Sequence, residues 1–148
     1  KILSIMLFCA VLSRIIFGYI SDIIGPLKTL LIGSTLQMMT LILFIPFNNL
    51  TGLYVVSILF GLSQGGIVPS YALIVKKYLP NKDAAERIGL IIFFTIIGMS
   101  IGGWMSGKIY DYTNSYSLGF LNSILWNLVN VMIIFYLFVS FKRSKVSI

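Results

Sequence analysis

Arg14 is the residue of this sequence with the clearest chemical potential, because it places a guanidinium inside the apolar stretch 2–20. A cation in such a stretch normally faces protein or water and needs an anionic partner. We expect Arg14 to bind a substrate carboxylate, to which its planar fork can donate two parallel hydrogen bonds. A structural ion pair and snorkelling toward the membrane surface are the alternatives. The positions one helical turn away carry no acid: Ala10, Val11, Phe17 and Gly18.

The remaining inventory of reactive side chains excludes most enzyme classes. The chain has no histidine and one cysteine, Cys9, so it can build no intramolecular disulfide, no Cys/His metal cluster and no imidazole catalysis. Its few ionisable groups form no acid and base pair at helical spacing. We therefore expect neither an enzyme nor a bound metal or cofactor.

Composition indicates an all-α integral membrane protein. Hydrophobic residues make up 58% of the 148 positions and charged residues 10%, whereas a soluble domain has about 25% charged residues. A bilayer crossing needs roughly 20 mainly apolar residues. The long uncharged runs of this chain, divided at polar turns, supply five such crossings. The predicted transmembrane helices are 2–20, 29–46, 53–75, 88–109 and 117–141.

The distribution of charge predicts the orientation of these five helices. Of the eleven Lys and Arg residues, all but Lys1 and Lys108 fall on the side that holds the 21–28 turn, the 76–87 loop and the tail. By the positive-inside rule the C-terminal tail is cytoplasmic, in a cell (inner) membrane. The net charge of +7 is therefore a topological signal, and we expect no nucleic-acid partner. Because residue 1 is Lys, we also expect the chain to begin inside a longer protein.

Two segments are rich in glycine, which lets helix backbones approach closely. Segment 53–75 contains a cluster of glycines and Pro69, which permits a bend. Segment 88–109 contains two overlapping pairs of glycines spaced four residues apart. The predicted helix-packing residues are Gly61, Gly65, Gly98, Gly102, Gly103 and Gly107.

Between the first two segments, Gly18, Asp22, Gly25 and Lys28 follow the spacing G-x-x-x-D-x-x-G-x-x-[KR]. From the residues alone, Asp22 can meet the positive end of another helix, or the stretch is an ordinary polar loop. The spacing resembles the cytoplasmic loop signature of the major facilitator superfamily, and the glycine patterns of segments three and four resemble its helices 10 and 11. The resemblance implies that residues 1–148 form helices 8 to 12 of a twelve-helix carrier, with this loop as a conformational motif.

Within that family, the sequence most resembles the monocarboxylate and oxalate/formate branch. Arg14 falls four residues before Gly18, as the arginine of monocarboxylate carriers does, but Ala10 stands where those carriers tend to have an acid. This difference weighs against proton coupling through an Arg/acid pair. The absence of charge from 88–107 disfavours dicarboxylate exchange, because oxalate-type carriers place a lysine there.

The resemblance also implies which polar side chains face the solute. Gln64 and Tyr71 lie on the third segment, which lines the cavity of such carriers, and we expect them to contact substrate; interhelical hydrogen bonding is the alternative. Ser123, Asn127 and Asn130 form a stripe on the last segment, whose counterpart is peripheral in the family. For this stripe we expect helix packing.

The expected function is secondary active transport, by symport or antiport, of a small organic anion such as a monocarboxylate through alternating access. The implied partners are the anionic solute, a possible coupling proton, the lipid bilayer and the missing N-terminal half of the polypeptide. One alternative is a proton-coupled exporter of drugs or neutral solutes in the same superfamily. The other is a non-transporting membrane module, because five helices alone enclose no obvious two-sided path.

Overall fold

The computed structural model describes residues 1–46 and 49–146. Within these residues the chain is helical and contains no strand, and five spans are long and apolar enough to cross a membrane. The predicted all-α membrane architecture is confirmed. The helices are α1 (Ile2–Ile24), α2 (Pro26–Leu43), α3 (Leu50–Gln64), α4 (Ile67–Tyr78), α5 (Ala84–Thr113) and α6 (Tyr116–Val146).

The connection between α1 and α2 is much tighter than the 21–28 turn that the sequence predicts. Helix α1 continues to Ile24 and α2 begins at Pro26, so Gly25 alone separates them. Proline is well tolerated at the first position of a helix, where its missing N–H would be unpaired anyway. Gly25 has φ 92° and ψ 152°, a backbone region that is essentially restricted to glycine.

The third membrane span is a broken helix. Helices α3 and α4 together cover Leu50–Tyr78, and they are interrupted at Gly65 and Gly66. The predicted bend therefore takes the form of two half-helices. Ser70 secures the start of the second half by donating its hydroxyl to the Gly66 carbonyl at 2.7 Å.

The two remaining connections differ in length. Helix α5 ends at Thr113 and is followed by Asn114, whose left-handed conformation (φ 50°, ψ 27°) is one that asparagine tolerates. Helix α6 starts two residues after Asn114. The predicted polar turn at 47–52 is described in part only, because Phe47 and Asn48 lie outside the described residues. Leu50 already belongs to α3.

The helices pack through small and polar residues. Helix α1 packs on α3, α2 packs on α3, α4 and α6, and α5 packs on α4 and α6. A small apolar cluster of Leu30, Ile67 and Ile134 joins α2, α4 and α6, whereas many large apolar side chains face outward. This pattern fits a bilayer, where close backbone approach replaces the hydrophobic effect between helices. The most buried polar residues are Ser13, Thr29, Ser34, Ser57 and Ser70.

Candidate functional site

Arg14 lies close to the middle of α1, on the exposed face beside the buried Ser13. All four acids of the chain are at helix ends or loops: Asp22, Asp83, Glu86 and Asp111. Among the residues whose side chains the structure describes, the one ion pair joins Arg87 to Asp83 at 3.9 Å, far along the chain from Arg14. The guanidinium therefore has no carboxylate partner within this part of the chain.

Glycines fix the depth of α3 relative to α1. A Cβ on Gly61 would collide with the carbonyl oxygen of Met6, and one on Gly65 would collide with that of Ala10. A Cβ on Gly65 would also lie 2.6 Å from the Cβ of Ser13. The contacts advance together along both helices, so α1 and α3 run parallel. The middle of α1 therefore lies at the depth of the α3/α4 break.

The break interrupts the helical hydrogen bonding of the backbone at that depth, although Gly65 and Gly66 themselves are buried. The ends of two half-helices leave N–H and C=O groups without helical partners, and inside a membrane such groups are tolerated where they line a cavity or meet protein. Ser13 satisfies one of them by donating its hydroxyl to the Leu62 carbonyl. Sequence reasoning missed this role of Ser13, because nothing in the pattern around it marks which carbonyl it meets.

Gln64 is the last residue of α3 and the middle residue of the span Leu50–Tyr78. It is half-buried, and it lies beside Gly65, which contacts α1 one residue before Arg14. Arg14, Gln64 and the helix break are therefore at one level near the membrane midplane. Discontinuous helices at this depth are characteristic of transporter binding sites. At this level the chain therefore carries one exposed guanidinium and one half-buried amide.

Tyr71, the third residue predicted to contact substrate, lies about two helical turns beyond Gln64 along the third span. Its half-buried ring packs against the apolar cluster of Leu30, Ile67 and Ile134, which joins α4 to α2 and α6. These contacts favour interhelical packing over solute contact for Tyr71. The sequence could not make this distinction, because α4 carries apolar residues around most of its circumference.

The glycines predicted to pack helices fall into two groups. Gly61 and Gly65 form the contact of α3 with α1. Around Gly98, Gly102, Gly103 and Gly107, in contrast, a Cβ would meet nothing within 4 Å among the described residues. Helix α5, which carries these four glycines, has no buried residue at all.

The loop signature residues lie at one end of the helix bundle. Gly18 and Asp22 belong to the last turns of α1, Gly25 forms the turn, and Lys28 lies in the first turn of α2. Asp22 and Lys28 are exposed, and Gly18 has open space where a Cβ would be. The structure thus brings the four residues to one surface but gives Asp22 no ion pair within the described residues.

A second polar region lies between α2, α3, α5 and α6, around a groove of about 740 Å³. Asn127 donates to the Gln37 side-chain oxygen at 3.0 Å, and Asn130 donates to the Ser34 hydroxyl at 3.3 Å. These bonds are the interhelical packing expected for the α6 stripe. The sequence analysis did not single out Gln37 or Ser34, although Gln37 stands out as the one amide in its apolar run.

Comparison with known proteins gives one family and one distant relative. The family model described as Major Facilitator Superfamily matches residues 2–147. Monocarboxylate transporter 13 of Rattus norvegicus is 24% identical over 122 residues, which cover 81% of this chain and 28% of that protein. The chain thus spans little more than a quarter of the length of this curated relative. No solved structure matches the chain.

Proposed function

Because this chain belongs to the major facilitator superfamily, we propose that it forms part of a secondary active transporter for a small organic anion such as a monocarboxylate. Alternating access moves the solute past the level of Arg14 and Gln64, and the guanidinium binds its carboxylate. Membership in this family points to a multi-pass membrane transporter rather than an enzyme. The similarity to Monocarboxylate transporter 13 of Rattus norvegicus supports the choice of a monocarboxylate as the solute.

One observation carries this proposal. Arg14 lies near the middle of a membrane-spanning helix, and the described part of the chain offers it no acid. A cation at this depth needs an anion or access to water, and such residues typically mark substrate or ion pathways. A planar carboxylate is the anion that best matches the two parallel N–H groups of arginine.

The experiment is uptake of a panel of labelled short monocarboxylates by cells that express the protein, compared between wild type and two Arg14 variants. We expect Arg14→Ala to abolish uptake. We expect Arg14→Lys to retain a fraction of it, because lysine keeps the charge but loses the bidentate geometry. Surface expression of each variant is measured in parallel so that uptake is compared per molecule.

Arg87→Ala is a matched control, because Arg87 lies at the start of α5 in an exposed pair with Asp83, and such pairs contribute little to stability. We expect it to leave uptake close to wild type. Unchanged uptake in Arg14→Ala at equal expression would refute the role of Arg14. Uptake that follows an imposed pH gradient but ignores the charge of the solute would favour proton-coupled export of neutral compounds instead.

The proposal also includes the orientation of the chain in the membrane and the helices that complete the transport path. The end of the bundle that holds Gly25, Lys76 and Lys77 faces the cytoplasm of a cell (inner) membrane, together with the C-terminal tail, as the positive-inside rule requires. Helices outside residues 1–148 complete the path and supply the other half of the solute site. The share of the named relative that the match covers supports this division.

A further inference from the structure

A crevice of about 270 Å³ lies at the positively charged end of the bundle, outside the solute site proposed above. The turn between α1 and α2 forms one wall and the C-terminal end of α4 forms the other. Two cations, one acid and one hydroxyl contribute to its lining. These side chains are Lys76, Lys77, Asp22 and Ser21.

Among the residues that the structure describes, the hydroxyl of Ser21 has no hydrogen-bond partner, although Ser21 is only 4% exposed. Several other helical hydroxyls in this chain donate to the carbonyl four residues earlier, as Thr29 does to Gly25 and Ser70 does to Gly66. A buried hydroxyl without a partner costs free energy. An acceptor placed in the crevice would satisfy Ser21.

The two lysines make the crevice attractive to an anion. The Nζ atom of Lys77 reaches over the turn, where a Cβ built on Gly25 would lie 3.3 Å from it. Asp22 forms no ion pair with Lys76 or Lys77 within 4.0 Å in the described residues. Helix α2 begins at Pro26, which lines the crevice, so the positive end of its helix dipole lies beside it. With two lysines and one aspartate in its lining, the crevice keeps a net positive charge.

The crevice also lies where phosphate is abundant. It is at the ends of three membrane spans, and Tyr78 next to it stacks on Phe141 of α6 with ring centroids 4.8 Å apart. The ends of α4 and α6 thus lie side by side at the membrane–water interface. Basic pockets between transmembrane helices at this level bind lipid headgroups.

We propose that this crevice binds a phosphate group, with Lys76 and Lys77 as its cations and Ser21 as a hydroxyl donor. The phosphate belongs to a phospholipid headgroup or is a free phosphate ion. In either case it links the α1/α2 turn, which carries the loop signature, to the end of α4. This inference does not depend on the solute carried or on the role of Arg14.

The test is native mass spectrometry of the purified protein after incubation with phosphatidylglycerol, compared between wild type, a Lys76→Gln/Lys77→Gln double variant and Ser21→Ala. We expect the double variant to retain about tenfold less phosphatidylglycerol, because each interfacial lysine adds to the attraction for anionic lipid. Ser21→Ala should retain less than wild type by a smaller factor. Lys108→Gln, which removes a cation at the opposite end of the bundle, is the matched control and should retain as much as wild type.

A second arm uses inorganic phosphate with delipidated protein. A rise in the thermal midpoint of wild type that is absent from the double variant, without selective lipid retention, identifies free phosphate as the source. Retention of lipid that the double variant keeps, or that Lys108→Gln loses equally, overturns the proposal. The proposal is also overturned if wild-type protein binds neither phosphatidylglycerol nor inorganic phosphate.

If the double variant does not fold, wild-type protein still decides the matter. A phosphatidylglycerol analogue with a photoreactive headgroup should cross-link to the peptides that contain Ser21 or Lys76 and Lys77. Cross-links spread evenly over the charged end of the bundle would overturn the proposal.

Discussion

Gly65 lies where the backbones of α1 and α3 touch, so the absence of its side chain determines how closely these helices pack. A Cβ there would meet the carbonyl oxygen of Ala10 and the side chain of Ser13. Neither neighbour can move without shifting α1, because one is backbone and the other is buried. The helix-packing prediction for Gly65 therefore concerns a rigid contact.

We expect Gly65→Ala to lower the free energy of unfolding by about 1–3 kcal/mol, the usual cost of overpacking. The measurement is reversible unfolding in mixed micelles. Gly89→Ala is the matched control, since Gly89 is an exposed helical glycine with nothing within 4 Å of a Cβ, and it should unfold no more easily than wild type. Equal stability of the two variants would contradict the close contact.

The sequence showed which single residues stand out as candidates, but it did not show which side chains surround them. Arg14 is visible because any charge in an apolar run is conspicuous, and Gly61 and Gly65 because of their spacing. The predicted solute contact of Tyr71 stays a prediction, and the structure adds that its half-buried ring packs against Leu30 and Ile134. Nothing local to Tyr71 indicates which neighbouring helix its ring will meet.

The turn between α1 and α2 depends on the backbone of one residue. Gly25 adopts φ 92° and ψ 152°, which costs a residue with a Cβ about 1–3 kcal/mol. We expect Gly25→Ala to destabilise the protein by this amount in the same unfolding assay. Gly25→Asn should not restore stability, because the left-handed region that asparagine tolerates lies at a much smaller ψ.

Gly18→Ala is the control for this turn, because Gly18 belongs to the same motif but has helical neighbours and open space around it. It should be tolerated. A Gly25→Ala variant as stable as wild type would show that the turn can adopt another conformation.

The membrane spans were predicted well, because length and apolar composition determine them. The turn and the helix break were predicted less well, because they depend on backbone geometry. The five spans follow from bilayer thickness alone. The one-residue turn at Gly25 was not predicted, because the 21–28 stretch looks like a polar loop by composition while its residues continue both helices. The break at Gly65 and Gly66 was expected as a bend, since glycine and proline permit several distortions and the sequence does not choose among them.

Helix α5 has an unoccupied glycine face in this chain. Gly98, Gly102 and Gly103 line the groove between α2, α3, α5 and α6, and among the described residues nothing beyond their own helix backbone and chain neighbours lies within 4 Å of where their Cβ atoms would be. Glycines at this spacing typically receive another helix. If helices outside residues 1–148 complete the transport path, as proposed above, we expect one of them to pack here.

This inference predicts that Gly102→Val destabilises the complete protein by about 1–3 kcal/mol through overpacking, although it would fit freely within residues 1–148. Thermal unfolding of the complete protein measures the effect. Gly89→Val, on an exposed part of the same helix, is the control and should be neutral. If Gly102→Val is equally neutral, the glycine face contacts lipid.

The family was predictable from spacing over nearly the whole chain, and the match to residues 2–147 confirms it. The solute was not predictable, because in the function proposed above helices beyond residues 1–148 form part of its binding site, and because Ala10 departs from the monocarboxylate pattern. The proposed role of Arg14 restricts the solute to compounds that carry an anionic group.

Competition during uptake tests most directly whether the carrier recognises a carboxylate. Uptake of a labelled monocarboxylate by wild-type protein is measured against an excess of the unlabelled acid anion or of its uncharged amide, which has nearly the same shape. We predict that the carboxylate competes and that the amide does not, because only the former carries the charge that Arg14 binds. Equal competition by the amide would contradict the assignment of an organic anion as the solute.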